Sequence, residues 1–295
     1  MTWILLLLSM WPAWAGELRV GRAAVKITPP VGTPMAGSYA LRLSKGVLND
    51  LYAKTLVLEQ DGTRAAMVAC DLAASNASIV AEARKLIERE TGLRPEQVMI
   101  SATHTHSGPF MPNPSARDAL FGGATDLDKQ FIASLPGKIA ESVKLAVQNL
   151  TPAELSAAFV KEDAVSFNRR YIMKDGTVGW NPHKRDPNIV KPAGPIDPDV
   201  SVVYAQSLKS EPLVTYVNHA LHVAVTAGLE FSADFPYTIG RLLGEVKGPD
   251  MMTMFTIGAA GNVNHLNVKS AEKQSGPIES IRIGTILAGD ILKAY

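Results

Sequence analysis

Segments of strand character alternate with segments of helical spacing along most of this chain. Residues 51–59 and 65–70 flank turn residues at 60–62, and this pattern predicts a β-hairpin. Apolar residues recur at helical spacing over 76–91, and Gly92 marks a helix stop. Further strands are predicted at 97–102, 155–160, 199–206, 213–217 and 251–257, and further helices at 127–150, 234–246 and 278–295.

The alternation predicts a single α/β domain with a mixed sheet and helices on both faces, because neither an internal repeat nor a linker interrupts it. Residues 171–198 are rich in Pro, Asn, Asp and Gly and are predicted to form a long surface loop near a site. The chain stops within a helix-like segment, so the domain is expected to be truncated at its C-terminus.

The composition supports a folded core and excludes some functions. Hydrophobic residues make up 46% of the 295 residues, which is enough to bury a core. The formal net charge is +1 with no basic run, so a nucleic-acid partner held by bulk charge is not expected. Cys70 is the single cysteine, which excludes intrachain disulfides and cysteine-rich zinc sites.

The N-terminus has the pattern of a targeting segment. A short aliphatic run at 4–8 precedes Ala13-Trp14-Ala15, an A-x-A cleavage pattern. We therefore predict a signal peptide over 1–15 and a mature domain over 16–295 in a secreted or periplasmic protein. An uncleaved anchor is the alternative reading.

Histidines at predicted strand ends are the candidate chemical groups. His104 and His106 follow the strand at 97–102, and an extended chain places both on one face, where two imidazoles can meet one metal ion. His219 and His222 follow the strand at 213–217. They share a face only if the segment is helical; otherwise one of them alone reaches a site. In each case a structural histidine is the alternative.

Three other segments have features of an active site, each with a plainer alternative. Asp234 precedes a predicted helix and is either an N-cap or a site residue. The Gly-rich segment 258–265 leaves a strand, where backbone N–H groups can point at a ligand, or it is only a tight turn. Arg169 and Arg170 form a basic pair that belongs either to a site or to the solvated surface.

Several of these segments together resemble the N-terminal catalytic domain of the neutral, non-lysosomal ceramidases. The most specific is THTHSGP at 103–109. The others occur in the expected order, from residue 19 to residue 267: VKITPPVGTPMAG at 25–37, VACDL at 68–72, NRR at 168–170, NHALH at 218–222, SAD at 232–234 and GAAGNVN at 258–264.

This resemblance implies a zinc-dependent amidase that splits the amide of an N-acyl sphingoid base such as ceramide. His104 and His222 match the family's zinc-ligand histidines, while His106 and Arg169 match residues that line the reacting centre. A lipid amide substrate implies possible contact with a membrane surface. His106 is the candidate acid or base, since an ordinary histidine pKa lies near 6.5.

The sequence departs from the family pattern in two places. Asn264 stands where the ceramidases carry a catalytic serine; we expect it to donate a hydrogen bond to the oxyanion, with Gly261 and Asn262 binding substrate. The family's glutamate and tyrosine zinc ligands would lie beyond Tyr295, so His106 is an alternative third ligand. Two other functions therefore stay open: a metal hydrolase of the same fold acting on another amide or ester, and an inactive metal-binding chain.

Overall fold

The computed structural model of this protein describes residues 16–38, 40–111 and 125–295. The predicted signal peptide at 1–15 lies outside the described residues. The described residues form one mixed eight-stranded sheet with helices and three small two- or three-stranded sheets. The predicted fold class, a single mixed-sheet α/β domain, is confirmed.

The first half of the large sheet is built on the predicted hairpin. Strand β1 (Arg19–Lys26) pairs antiparallel with β3 (Tyr52–Gln60), which pairs antiparallel with β4 (Thr63–Cys70). The β3–β4 turn consists of Asp61 and Gly62, whose φ values of 51° and 73° match the primed turns that join twisted strands. β5 (Val98–Ala102) then lies parallel to β4.

Two helices pack on this half of the sheet. α1 (Ala77–Thr91) ends at Gly92, which has φ 74° and donates its N–H to the Glu88 carbonyl, as the glycine stop predicts. α2 (Asp126–Gln148) begins at Thr125, whose hydroxyl accepts the Asp128 N–H in a capping box. The two helices pack on each other, and α2 covers β1 and β3.

The second half of the sheet carries the other helix pair. β6 (Thr151–Lys161), β11 (Asp199–Ser207) and β12 (Pro212–His219) are antiparallel neighbours. α3 (Phe235–Lys247) leads to β14 (Met252–Ile257), which returns parallel to β12, and α4 (Pro277–Ala294) packs on α3 and β6. None of the helices in the described ranges combines the length and apolar content needed to cross a bilayer.

The sheet folds back on itself, so that its inner face forms a core of its own. Its strand order is β14-β12-β11-β6-β1-β3-β4-β5, yet β14 also approaches β4 and β5 from the opposite edge. Val20 and Leu56 of the first half are buried in one apolar cluster with Val214 and Met254 of the second. One helix pair thus covers each half from outside, and the two halves of the sheet pack against each other.

The loop predicted at 171–198 is wrong in part, because the structure has three short strands in and beside it. β8 (Arg170–Met173) pairs with β9 (Val178–Trp180) and β10 (Ile189–Pro192) in a small sheet. Strands of three or four residues are too short to show a hydrophobic period. The remaining strands have two residues each: β2 (Gly46–Val47), β7 (Phe167–Asn168), β13 (Glu230–Phe231) and β15 (Val263–Asn264).

A hydroxyl pair is buried where α2 meets β3, and it generates the first prediction. Thr55 and Ser142 are both fully buried with their oxygens 2.7 Å apart, and Ser142 donates its proton to the Ile139 carbonyl. Ser142→Ala therefore leaves the Thr55 hydroxyl without an acceptor and should lower the free energy of unfolding by about 1–3 kcal/mol. Thr55→Val with Ser142→Ala removes both polar groups and should destabilise less than Ser142→Ala alone. Denaturant unfolding measures both variants; a double variant less stable than the single one contradicts the assignment.

Candidate metal centre

The first two histidines lie in the loop that follows β5. β5 runs parallel to β4, and the loop stays beside the end of β4 because His104 donates its N–H to the Leu72 carbonyl at 2.9 Å. His104 has φ 69°, a conformation that non-glycine residues adopt only where the surroundings hold them. The chain bends at this residue, so that His104 and His106 face a common point.

The third histidine comes from the segment after β12. That segment is not helical, so His219 and His222 diverge, which was one of the two expected outcomes. His222 joins His104 and His106, and the His106 N–H donates to the Val223 carbonyl at 2.8 Å to link the two loops. His219 instead lies fully buried, with Ser166 at 3.0 Å from its Nε2 and the Asp199 carbonyl at 3.1 Å from its Nδ1.

The three imidazoles converge on one point through their Nε2 atoms. The Nε2 of His104 lies 3.0 Å from that of His222 and 3.3 Å from that of His106. One ring nitrogen from each of the three histidines lies within 4.8 Å of the other two. Zn–N bonds of about 2.0–2.1 Å at tetrahedral angles would place two ligand nitrogens about 3.3 Å apart. The spacing therefore fits three nitrogen ligands around one zinc-sized ion.

Main-chain carbonyls fix which ring nitrogens are free. The Nδ1 of His104 lies 2.6 Å from the Ala73 carbonyl, and the Nδ1 of His222 lies 3.1 Å from the Ala260 carbonyl. A carbonyl only accepts, so each Nδ1 carries a hydrogen, and in the neutral form of either ring the Nε2 keeps its lone pair. Two lone pairs that face each other at 3.0 Å repel, and a cation between them removes that repulsion. The donor set thus fits a metal ion.

The electrostatic surroundings keep two of the rings neutral. Burial, with smaller contributions from neighbouring cationic groups that include Arg169, lowers the pKa of His106 to about 4 and that of His222 to about 4. The backbone contact of His222 with Ala260 acts in the opposite direction. At neutral pH both imidazoles are therefore unprotonated, which is the form that binds a metal ion.

Two arginines flank the histidines. Arg169 stacks on the Trp180 ring at 4.0 Å and donates from Nε and Nη2 to the Gly261 carbonyl, at 3.2 and 2.7 Å. Arg169 thus contacts the same turn whose Ala260 carbonyl contacts His222, and its charge is among the causes that lower the pKa of both His106 and His222. Arg42, which the sequence analysis did not single out, also lowers the pKa of His106.

The Gly-rich turn after β14 is present as predicted, but the groups that contact His222 and Arg169 are its main-chain carbonyls. The Ala260 carbonyl orients His222, and those of Gly261 and Asn262 accept from Arg169. Asn264 is buried; its Nδ2 donates to Asn181 Oδ1 at 2.9 Å, and its Oδ1 accepts the Leu266 N–H. The predicted substrate-facing roles of Gly261, Asn262 and Asn264 stay predictions.

The two remaining histidines, together with Asp234 and Cys70, are outside the cluster of His104, His106 and His222. His265 is buried with its Nε2 2.7 Å from the Gln274 carbonyl, and His183 is exposed in the segment between β9 and β10. Asp234 caps α3 by accepting the Phe235 N–H, as the N-cap reading predicts. Cys70 is buried.

Gly37 is a site residue that the sequence analysis did not identify. It has φ 81°, and a Cβ atom built on it would lie 2.4 Å from the His106 Cβ. The positive φ and the close approach both require glycine. Its sequence signal is only that it ends the VKITPPVGTPMAG segment at 25–37, and its contact with a residue 69 positions later is visible only in the folded chain.

The solved structures that are similar to this chain include two ceramidases. One is the neutral ceramidase from Pseudomonas aeruginosa, with a TM-score of 0.75 and 20% sequence identity over 95% of this chain and 45% of that chain. The other, a ceramidase complexed with C2, has a TM-score of 0.78 and 20% identity over 95% of this chain and 44% of that chain. This chain thus has the fold of less than half of each ceramidase chain. No protein-family model matches the sequence, and no curated protein matches it.

The packing of Gly37 against His106 gives the second prediction. Gly37→Ala should lower the affinity for zinc by about 10- to 100-fold, because the new methyl group must displace His106 from its position beside the other two rings. Gly62→Ala is the matched control: it also has a positive φ, but nothing lies within 4 Å of the new methyl group. Competition with a chromophoric chelator measures both affinities. Equal zinc affinity in the two variants contradicts the argument.

Proposed function

We propose that this chain is a zinc-dependent hydrolase that cleaves the amide bond of N-acyl sphingoid bases, releasing a sphingoid base and a fatty acid. The observation that carries the proposal is the convergence of three Nε2 atoms from His104, His106 and His222. The fold shared with two ceramidase structures, together with the THTHSGP motif, directs it toward this substrate class.

His104 and His222 are the first two zinc ligands, because their Nδ1–H groups are held by carbonyls and their Nε2 lone pairs point inward. A bound zinc ion would supply Lewis-acid polarisation of the substrate carbonyl and activation of water near neutral pH. The positive charge of Arg169 near the centre stabilises the negative charge that develops on the carbonyl oxygen.

His106 has two roles open to it. Its Nε2 lies 3.3 Å from that of His104, which suits a third ligand. If it is not a ligand, its neutral Nε2 can accept a proton from water and return it to the leaving amine. The pKa of about 4 makes it a poor proton reservoir at neutral pH, so the geometry and the charge together favour ligation.

One observation favours a second candidate, a metal hydrolase of the same fold acting on another amide or ester. Asn264 stands at the position of the ceramidase serine, and its amide group is held by Asn181 and Leu266. An asparagine side chain is not a nucleophile, so a serine-assisted mechanism is not available at this position. Water is then the attacking group, and the acyl substrate is less restricted to ceramide.

We further propose that the protein is exported and that the mature chain begins at Gly16. Outside the cell or in the periplasm, the protein would reach a lipid amide at a membrane surface. The proposal rests on Ala13-Trp14-Ala15 after the short apolar run. N-terminal sequencing of the exported protein should begin at Gly16; a sequence that still contains Trp3 and Ile4 contradicts cleavage.

The ligand assignment predicts a difference between histidine variants. His104→Ala and His222→Ala should each lose most bound zinc, whereas His183→Ala should keep it, because His183 is exposed outside the cluster. Elemental analysis of the purified variants measures zinc content. Loss of zinc from the His183 variant alone would overturn the site assignment.

The substrate proposal is tested by hydrolysis of ceramide, a small N-acyl amide and an acyl ester with zinc-loaded protein. Ceramide turnover that His222→Ala abolishes supports the first candidate. Turnover of the small amide or the ester without ceramide supports the second. Zinc binding with no turnover of any of the three leaves a metal-binding chain without this activity and contradicts both.

Asn264 variants test whether Asn264 donates a hydrogen bond to the oxyanion or supports the metal centre. If Asn264 only donates a hydrogen bond to the oxyanion, Asn264→Ala should lower turnover by at most about 10²- to 10³-fold. Asn264→Ser restores the hydroxyl present in the ceramidases and should raise ceramide turnover. If Asn264→Ala instead abolishes zinc binding, Asn264 supports the metal centre and its role as an oxyanion donor is wrong.

A further inference from the structure

The carboxylate of Asp234 is buried and accepts four hydrogen bonds. Its Oδ2 accepts the backbone N–H groups of Val225 and Thr226 at 2.7 and 2.9 Å. Its Oδ1 accepts the Phe235 N–H at 2.7 Å and the Ser280 hydroxyl at 2.8 Å. Capping α3 accounts for one of these bonds, so the N-cap role leaves three unexplained.

Two of the remaining bonds act on the loop that carries His222. Val225 and Thr226 follow His222 by three and four residues, in a segment without regular secondary structure. The loop has no strand or helix of its own to fix it. The Asp234 carboxylate therefore supplies one downstream attachment of the loop, beside the bond from the Gly276 N–H to the Val225 carbonyl at 2.8 Å. The bond from the Gly258 N–H to the His219 carbonyl supplies an upstream one.

The segment around Asp234 also holds the loop of His104 and His106. Ser232 donates its N–H to the Ser107 carbonyl at 3.0 Å and accepts the Thr105 hydroxyl on its own carbonyl at 2.7 Å. The Ser232 hydroxyl in turn accepts the Asp234 N–H at 2.9 Å. One short segment thus binds both loops whose imidazoles converge.

The backbone of Asp234 has a strained conformation, which the surrounding hydrogen bonds hold in place. Asp234 has φ 62° and ψ −151°, a region that glycine alone enters readily. A residue with a Cβ atom keeps such a conformation only when its side-chain and main-chain bonds hold it there. The strain and the four bonds meet at a residue whose own segment, through Ser232, also binds the other histidine loop.

We propose that Asp234 is a positioning residue for the metal centre: its carboxylate holds the His222 loop in register with the His104–His106 loop, so that three imidazoles reach one ion. The inference rests on the proposed zinc site. Asp234 acts through the loop backbone, at Val225 and Thr226, and the ring nitrogens remain the ligands.

Asp234→Asn is the main test, because the amide keeps the shape but places an N–H where an oxygen now accepts. Zinc affinity should fall by about 10- to 100-fold, the usual effect of removing a group that orients a ligand. With Co²⁺ in place of zinc, the visible absorption band should change in position or intensity, because the ligand geometry changes. Asp234→Gly is the second variant; it removes all four bonds while it relieves the backbone strain, and it should show the same two effects.

Ser280→Ala is the matched control. It removes one bond from Oδ1 on the α4 side and leaves the bonds to Val225 and Thr226 in place. It is expected to reduce thermal stability without altering zinc affinity or the Co²⁺ spectrum. If Ser280→Ala weakens zinc binding as much as Asp234→Asn does, the effect is one of general stability and the inference is overturned.

The variants distinguish a failure of the positioning role of Asp234 from a failure of the proposed metal site. If His222→Ala keeps its zinc, the proposed metal site is wrong. If His222→Ala loses zinc while Asp234→Asn and Asp234→Gly fold and bind it like the unaltered protein, the metal site stands and the positioning role is wrong. If circular dichroism shows that neither Asp234 variant folds, the carboxylate supports the whole fold and the specific role is likewise overturned.

Discussion

The hydrogen bond from the His106 N–H to the Val223 carbonyl joins the two loops on which the site depends. One loop leaves β5, which lies parallel to β4, and the other leaves β12, which lies parallel to β14. In each pair the carboxyl ends of two parallel strands lie together, and such ends are where open α/β sheets place their ligands. The back-folding of the sheet brings β14 beside β4 and β5, so that the two loops meet.

Burial gives the centre its chemical character. His222 is buried, and the low dielectric around it disfavours a charged ring more than the Ala260 carbonyl favours one. Arg169 and Arg42 add positive charge beside His106. The neutral rings of His106 and His222 offer lone pairs to a metal ion, and the two arginines offer positive charge to an oxyanion. The same surroundings therefore suit ligation and the stabilisation of negative charge.

Glycines and carbonyls complete the centre, and these groups carry no side-chain chemistry. Gly37 leaves the space that His106 occupies. Gly258 allows the turn to approach the Ala220 backbone, since a Cβ there would lie 3.1 Å from the Ala220 nitrogen. The carbonyls of Ala73 and Ala260 select the tautomers of His104 and His222. The path of the backbone therefore largely determines the geometry of the site.

The sequence by itself determined the alternation of strands and helices, the hairpin at Asp61 and Gly62, the helix stop at Gly92 and the identity of the candidate histidines. These are local properties, because turn geometry and hydrophobic period act over a few residues. Only the tertiary structure decided that His222 joins His104 while His219 turns toward Ser166. It also decided that Asp234 bonds to the His222 loop and that Gly37 packs on His106, since those contacts depend on how distant segments pack and leave no period in the sequence.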